Sequence, residues 1–347
     1  MEFEHKASGS GTPDPAIGMV KAKGAVNPGN QANQAIRIVF MGTPEFAAHA
    51  LEVLAANFQV TLAVTQTDKP KGRGKTMQGT PVKITAEKLG IPCITPAVLK
   101  TDEEAIRKIT DEQPDFIVVV AFGQILTQRI LQIPKYGCIN LHASLLPKLR
   151  GAAPIQAAIM QGFTETGNTT MLMAEGLDTG DMLLTNKVEI SAEMTYGGLH
   201  DALMETGAAL LVETIHGVYA GVVEPIPQDE GAATYVPKMN KQDAMIDFNE
   251  STRQILNKIR GLNPIPLAST CHGGRLIKIV QAQAAQIDGP KEPGRILKID
   301  KTGIVVGTGD GAIRIRQLQL PGKKTMEVRD FLNGNTLDTN LLFTRSE

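Results

Sequence analysis

The chain has 347 residues, enough for two domains with separate cores. Hydrophobic residues at 42%, charged residues at 20% and a net charge of −1 describe an ordinary soluble globular protein, and no apolar run approaches the length of a membrane span. Three widely spaced cysteines (Cys93, Cys138, Cys271) exclude a disulfide framework, and the histidines form no metal-binding spacing. Buried thiols in a reducing, cytoplasmic compartment and no bound metal are therefore expected.

Residues 1–35 contain Ser8-Gly9-Ser10-Gly11-Thr12-Pro13-Asp14-Pro15 and lack the apolar core of a signal peptide. This stretch reads as a disordered extension, a tag or linker, with Met19 as a natural start. Ile36–Met41 is a strand-like run ending at Gly42, and Pro44 suits the first turn of a helix continuing through Leu54. Val60–Val64 is a second strand, followed by a loop rich in cations and glycine from Asp68 to Lys75. A helix over Val82–Leu89, then strands at Ile91–Thr95, Phe116–Val120 and Cys138–His142, continue the alternation. Apolar runs alternating with helices predict an α/β class fold with a doubly wound, mostly parallel sheet. A helix over Thr195–Gly217 closes this domain.

The segment 224–240 opens with Glu224-Pro225-Ile226-Pro227 and has no periodicity, so it reads as a linker between a domain at 36–223 and one at 241–347. The second domain shows short alternating strands, at Arg275–Val280 and Gly294–Ile299, and a hairpin around Gly307–Gly311. That pattern predicts a small β-barrel. Between 253 and 324 there are thirteen Lys and Arg against four Asp and Glu, a balance of +9, so the rest of the chain sums to −10. A basic barrel beside an acidic domain fits an anionic polymer as partner. A solvated strand surface gives the same balance, and charge alone leaves both readings open.

The chemistry concentrates in two stretches. Asn140 and His142 lie at alternate positions at the end of an apolar strand, so both face one side, where open α/β sheets bind ligands. Asp178 follows His142 by 36 residues, between Gly176 and Gly180 in a loop bent to aim one side chain. An amide, an imidazole and a carboxylate together suit a reaction in which charge grows on a carbonyl oxygen. Singly, each has a structural reading too, as a bonded strand-end histidine or an Asx-turn aspartate. Two apparent nucleotide motifs fail. Gly74-Lys75-Thr76 lacks the first glycine of a P-loop because Lys69 stands there, and Gly307-x-Gly309-x-Gly311 falls in a hairpin.

Asn140-Leu-His142-Ala-Ser144-Leu-Leu-Pro147, then Arg150-Gly-Ala-Ala-Pro-Ile-Gln156 and Gly176-Leu-Asp178-Thr-Gly-Asp181-Met182, closely resemble the methionyl-tRNA formyltransferase family. Met41–Ala47, Gln66–Lys75, Val119–Leu126 and Leu318–Lys324 agree in the same order, so the resemblance covers about 36–343. It implies a Rossmann-like formyltransferase domain followed by an OB-like barrel that binds tRNA. The implied reaction moves the formyl group of 10-formyltetrahydrofolate to the amine of methionyl initiator tRNA. Asn140, His142 and Asp178 are the catalytic residues it implies. Folate is expected along Phe122, Gly123, Ile125 and Leu126, and along Ser144, Leu145, Leu146 and Pro147. tRNA is expected at Lys69, Lys71, Arg73 and Lys75, and at Lys323 and Lys324. A monomer without an obligate protein partner is expected. Ile265 stands where family members often carry Trp. Two alternatives are a folate formyltransferase acting on a small amine, such as glycinamide ribonucleotide or an amino sugar, and a non-catalytic RNA-binding relative.

Overall fold

The computed structural model describes residues 36–71, 76–287, 289 and 292–345. The first domain carries strands β1 (Arg37–Gly42), β2 (Gln59–Val64), the hairpin β3 (Lys69–Lys71) and β4 (Thr76–Gln78), β5 (Cys93–Ile94), β6 (Phe116–Val120), β7 (Cys138–His142), β8 (Arg150–Gly151), β9 (Glu165–Leu172) and β10 (Met182–Glu189). Its helices are α1 (Glu45–Asn57), α2 (Pro81–Leu89), α3 (Glu103–Asp111), α4 (Gln128–Leu131), α5 (Pro154–Met160) and α6 (Tyr196–Tyr219).

Seven strands form one sheet in the order β10-β9-β7-β6-β1-β2-β5. The five from β7 to β5 are parallel, β9 runs against them, and β10, antiparallel to β9, runs with them again. The doubly wound, mostly parallel sheet expected from sequence is what forms. Period-2 alternation divides its strands between two cores. Ile38 and Phe40 of β1, with Phe116 and Val118 of β6, pack towards α1 and α6. Val39, Met41, Ile117 and Val119 face the opposite layer with Ile106 and Ile109 of α3. Each fully buried side chain of this kind contributes roughly 1.5–3 kcal/mol. The chain enters the sheet at β1 and builds outward on both sides. The crevice beyond the carboxyl ends of β1 and β6 is therefore a topological switch point.

Local differences from the sequence reading are small. Pro44 is the N-cap of α1 rather than a residue of its first turn. Helix α3 is an addition to the expected elements; Asp102 caps it by accepting from Ala105 N at 3.0 Å, and two glutamates occupy its first turn.

Residues 224–240 join the domains but lie tied down along the first. Ile226 exchanges two backbone bonds with Met182, both at 2.8 Å. Further on, β11 (Tyr235–Val236) pairs in parallel with β8. Isolated Pro and Gly spacing gives no hint of these bonds, because all their partners are distant in sequence.

The second domain begins with α7 (Thr252–Gly261), closed at its start by a reciprocal capping box between Ser251 and Gln254. Strands β12 (Ala268–His272), β13 (Arg275–Ala284), β14 (Ile296–Asp300), β15 (Gly303–Gly307), β16 (Ala312–Gln319) and β17 (Met326–Glu327) and helix α8 (Val328–Leu332) follow. The antiparallel order is β12-β13-β16-β15-β14, with β17 on β16. Bridges from Cys271 to Thr344 and from Arg295 to Leu342 link the edge strands β12 and β14, so the sheet closes on itself as the expected small barrel. Ile277, Ile279, Ile304, Ile313, Ile315 and Phe331 fill it. The domains meet where Arg260 donates to the carbonyls of Ser191 (3.0 Å) and Met194 (3.2 Å).

Candidate active site

Alternation along β7 builds the centre of the site. Ile139 and Leu141 enter the core under α6, and Cys138 enters the opposite core. Asn140 and His142 share the face of Cys138, but there the strand has passed beyond the core into a cavity of about 1000 Å³. Both are nearly enclosed, at 9% and 6% exposure. His142 Nε2 lies 2.9 Å from the carbonyl oxygen of Leu149, which can only accept, so this nitrogen carries a proton. The other ring nitrogen, Nδ1, faces Asp178 Oδ2 at 3.6 Å, an ion-pair distance rather than a hydrogen bond.

Asp178 reaches the imidazole from the loop after β9. Its backbone is left-handed, at φ 55°, a conformation that short polar side chains tolerate best. Its Oδ2 accepts the Gly151 N–H at 2.8 Å. Only glycine fits at 151, since a Cβ there would sit 2.3 Å from Val236 O. Of the five non-glycine residues with positive φ among the described residues, Ala121, Leu149 and Asp178 all border this centre. Strain concentrated this way marks a site whose surroundings hold it in place.

One wall runs from Ala121 to Gln128. The Phe122 carbonyl accepts from Thr43 Oγ1 (3.0 Å) and Gln66 Nε2 (2.9 Å), which pins the loop across the ends of β1 and β2. Gln124 turns away, taking the Leu99 N–H at 2.7 Å and donating to Pro96 O at 3.0 Å. Ile125 and Leu177 are left 81% and 60% exposed, two apolar lips on facing loops. Phe122, Gly123, Ile125 and Leu126 all line the cavity.

Ser144, Leu145, Leu146 and Pro147 are placed differently, in the turn after β7 and outside the cavity lining. The Ser144 hydroxyl is committed to Lys148 O at 2.6 Å. Thr169 Oγ1 donates to Ser144 O at 2.7 Å and accepts from Leu146 N at 3.1 Å. These bonds shape the turn that delivers Leu149 to His142.

The cavity lining also includes residues that sequence reasoning does not single out: Phe46, Gln156, Tyr196, His200 and Lys238. Phe46 meets the His200 ring edge-on at 5.4 Å, and burial pushes the Tyr196 phenol above its ordinary pKa. Gln156 stands within the Arg150–Gln156 motif; Tyr196 and His200 share one face of α6 at i and i+4, the only local sign available.

Of the expected tRNA contacts, Lys69 donates to Gln66 Oε1 at 2.8 Å, so the basic hairpin starts beside the residue that braces the cavity wall. Lys71 ends β3, while Arg73 and Lys75 fall outside the described residues. Lys323 and Lys324 are exposed in the turn between β16 and β17. Among the described residues no three His, Cys, Asp or Glu side chains cluster as metal ligands, and no helix is long and apolar enough to cross a membrane.

Family models for formyl transferase match residues 36–215, and for the formyl transferase C-terminal domain residues 238–336. A methionyl-tRNA formyltransferase of Clostridium acetobutylicum is 50% identical over 307 residues, covering 88% of this chain and 99% of that protein. The chain belongs to the methionyl-tRNA formyltransferase family. A Clostridium perfringens member is likewise 50% identical, over 87% of this chain and 98% of its own length. An Alkaliphilus metalliredigens member is 45% identical over 88% and 98%. The resemblance read from Asn140–Pro147 and its companion segments is thereby borne out.

Solved structures extend the fold beyond the family. An N-formyltransferase from Helicobacter canadensis, in complex with folinic acid and dTDP-3-aminofucose, superposes with a TM-score of 0.60 at 17% identity, over 81% of this chain and 98% of that one. HypX from Aquifex aeolicus, in complex with tetrahydrofolic acid, gives 0.59 at 17% over 87% of this chain; the chain spans 48% of that longer protein. At such identities the shared property is the fold.

Proposed function

We propose that this enzyme transfers the formyl group of 10-formyltetrahydrofolate to the α-amine of methionyl initiator tRNA, in the cytoplasm. The observation carrying the chemistry is the cluster of Asn140, His142 and Asp178 lining one open cavity. The residues present fit a folate. The Phe122–Leu126 wall offers backbone polar groups, and Ile125 and Leu177 offer exposed apolar surface that a flat ring system covers. When bound, this co-substrate supplies the activated formyl carbon.

The protein's own groups then divide the work. The Asn140 amide donates to the formyl oxygen as negative charge builds there. His142, its ring orientation set by Leu149 O, adds positive potential on the same side. Asp178 Oδ2 is anchored by Gly151 N, which leaves Oδ1 to take, directly or through a water, the proton the amine loses as it bonds the formyl carbon. The bond from that carbon to the folate nitrogen breaks, and the nitrogen takes up a proton as it leaves. The basic β3–β4 hairpin and the Lys323–Lys324 turn hold the tRNA backbone, with Arg73 entering the acceptor end.

The test compares formyl transfer to methionyl initiator tRNA, glycinamide ribonucleotide and an amino sugar. Transfer to the charged tRNA, abolished in His142→Ala, is expected. Transfer to a small amine instead would keep the chemistry and overturn the acceptor.

A further inference from the structure

Resting on the reading of Asp178 as a catalytic base, we infer that Gln228, in the segment between the domains, is a positioning residue that holds Asp178 through its backbone. Gln228 Nε2 donates to two carbonyls of the Asp178 loop, Asp178 O at 2.8 Å and Gly180 O at 2.7 Å. Its Oε1 accepts two N–H bonds from Arg150, from Nε at 3.0 Å and Nη2 at 2.8 Å. Carbonyls on one side and a guanidinium on the other leave the amide a single orientation.

Arg150 is fully buried, yet all five of its N–H groups have partners. Besides the two to Gln228, they go to Glu230 Oε1 (2.7 Å) and Oε2 (2.9 Å) and to the Tyr235 hydroxyl (2.7 Å). Pairing with Glu230 holds the guanidinium above its ordinary pKa, so it stays a fixed donor. A short relay results, from Arg150 to Gln228 to the main chain of Asp178. It runs beside the Gly151 N–H that anchors the same residue's carboxylate.

The relay answers a need the geometry creates. A left-handed aspartate is strained and persists only where its surroundings over-determine it. The same segment also supports the partner of His142, since Thr234 Oγ1 accepts the Leu149 N–H at 2.8 Å. Residues 226–236 therefore bind both loops that carry the chemistry, and the connection to the barrel is part of the active-site frame.

The experiment is a double-mutant cycle of Gln228→Glu with Asp178→Asn in the full-length enzyme, reading kcat and KM for formyl transfer. Gln228→Glu keeps the acceptor for Arg150 and replaces the donor with an oxygen facing two carbonyls. A misplaced catalytic group costs on the order of 10- to 100-fold, so kcat should fall by about that much with KM for both substrates nearly unchanged. In the Asp178→Asn background the same change should cost less than about 2-fold, because the group it positions is already gone. Equal losses in both backgrounds, or a loss confined to KM, would overturn the proposal. Full activity in Asp178→Asn alone would overturn the catalytic reading and this inference with it. A loss there with none in Gln228→Glu would overturn the inference alone. If Gln228→Glu does not fold, Gln228→Ala carries the same cycle, since it removes both sets of bonds without adding charge.

Discussion

The two domains differ in where their polar side chains gather. In the sheet domain, Asn140, His142, Ser144 and Arg150 are buried around the end of β7 and the start of β8, and His142, Ser144 and Arg150 each bond a named partner. The barrel domain also buries Asn257, Ser269, Thr270, His272 and Thr308, but aliphatic and aromatic side chains fill its centre, and cations such as Lys323 and Lys324 stay outside. Enclosed polar groups act on a reacting atom because low dielectric strengthens them, whereas exposed charges act on a polyanion at longer range and are screened by salt. On the proposed function, the first arrangement suits chemistry and the second suits contact with a polyanion.

The largest effect that tests this contrast is loss of a side chain proposed to be catalytic. His142→Ala or Asp178→Ala should slow formyl transfer by at least about 100-fold, the usual worth of one preorganised group, with the thermal midpoint little changed. A few-fold loss in steady-state assays would remove that residue from the mechanism. On the barrel side, Lys323→Ala with Lys324→Ala should leave kcat alone and weaken tRNA binding. The slope of log K against log salt should become shallower by up to about two, because each lysine that neutralises a phosphate adds roughly one to it. An unchanged slope would assign phosphate neutralisation to other cations.

A core substitution should separate packing from both. Ile315→Val removes one methylene group from the filled barrel and should cost about 0.5–1.5 kcal/mol in denaturant unfolding, with kcat untouched. The smallest effect near neutral pH concerns the thiols. Burial pushes Cys138 from 9.0 up to about 12 and Cys93 up to about 11. Above pH 9 the folded chain then retains protons that the unfolded chain has lost, so stability declines as pH rises through about 11 and 12. Below pH 9 both thiols are protonated in either state and contribute no slope. Cys138→Ala should flatten the alkaline decline in thermal midpoint, and a decline as steep as before would assign it to other groups.

Much of this protein is legible in its residues. Strands β6 and β7 occupy the spans that their apolar runs predict, because a strand buried on both faces has no other composition open to it. Alternation is enough to put Asn140 and His142 on one side, and the glycines around Asp178 are enough to predict a bent loop. The N-terminal signals of α3 are equally local, in Asp102, Glu103 and Glu104, and capping residues alone would mark its start.

Tertiary structure alone decided the rest. Nothing between 224 and 240 has a period, so only the folded chain shows Gln228 reaching Asp178 across 50 positions and Thr234 reaching Leu149 across 85. Part of the cavity lining is assembled from Phe46, Gln156 and Tyr196, which come together only because α1 and α5 both pack against α6. The Ser144–Pro147 turn lies outside the cavity for a similar reason, its polar groups having been claimed by Lys148 and Thr169. Periodicity records which face of an element is buried, and so the sequence carried the sheet, the barrel and the reactive strand end. Hydrogen bonds between distant loops leave no periodic trace, and it is these that hold the reactive groups in place.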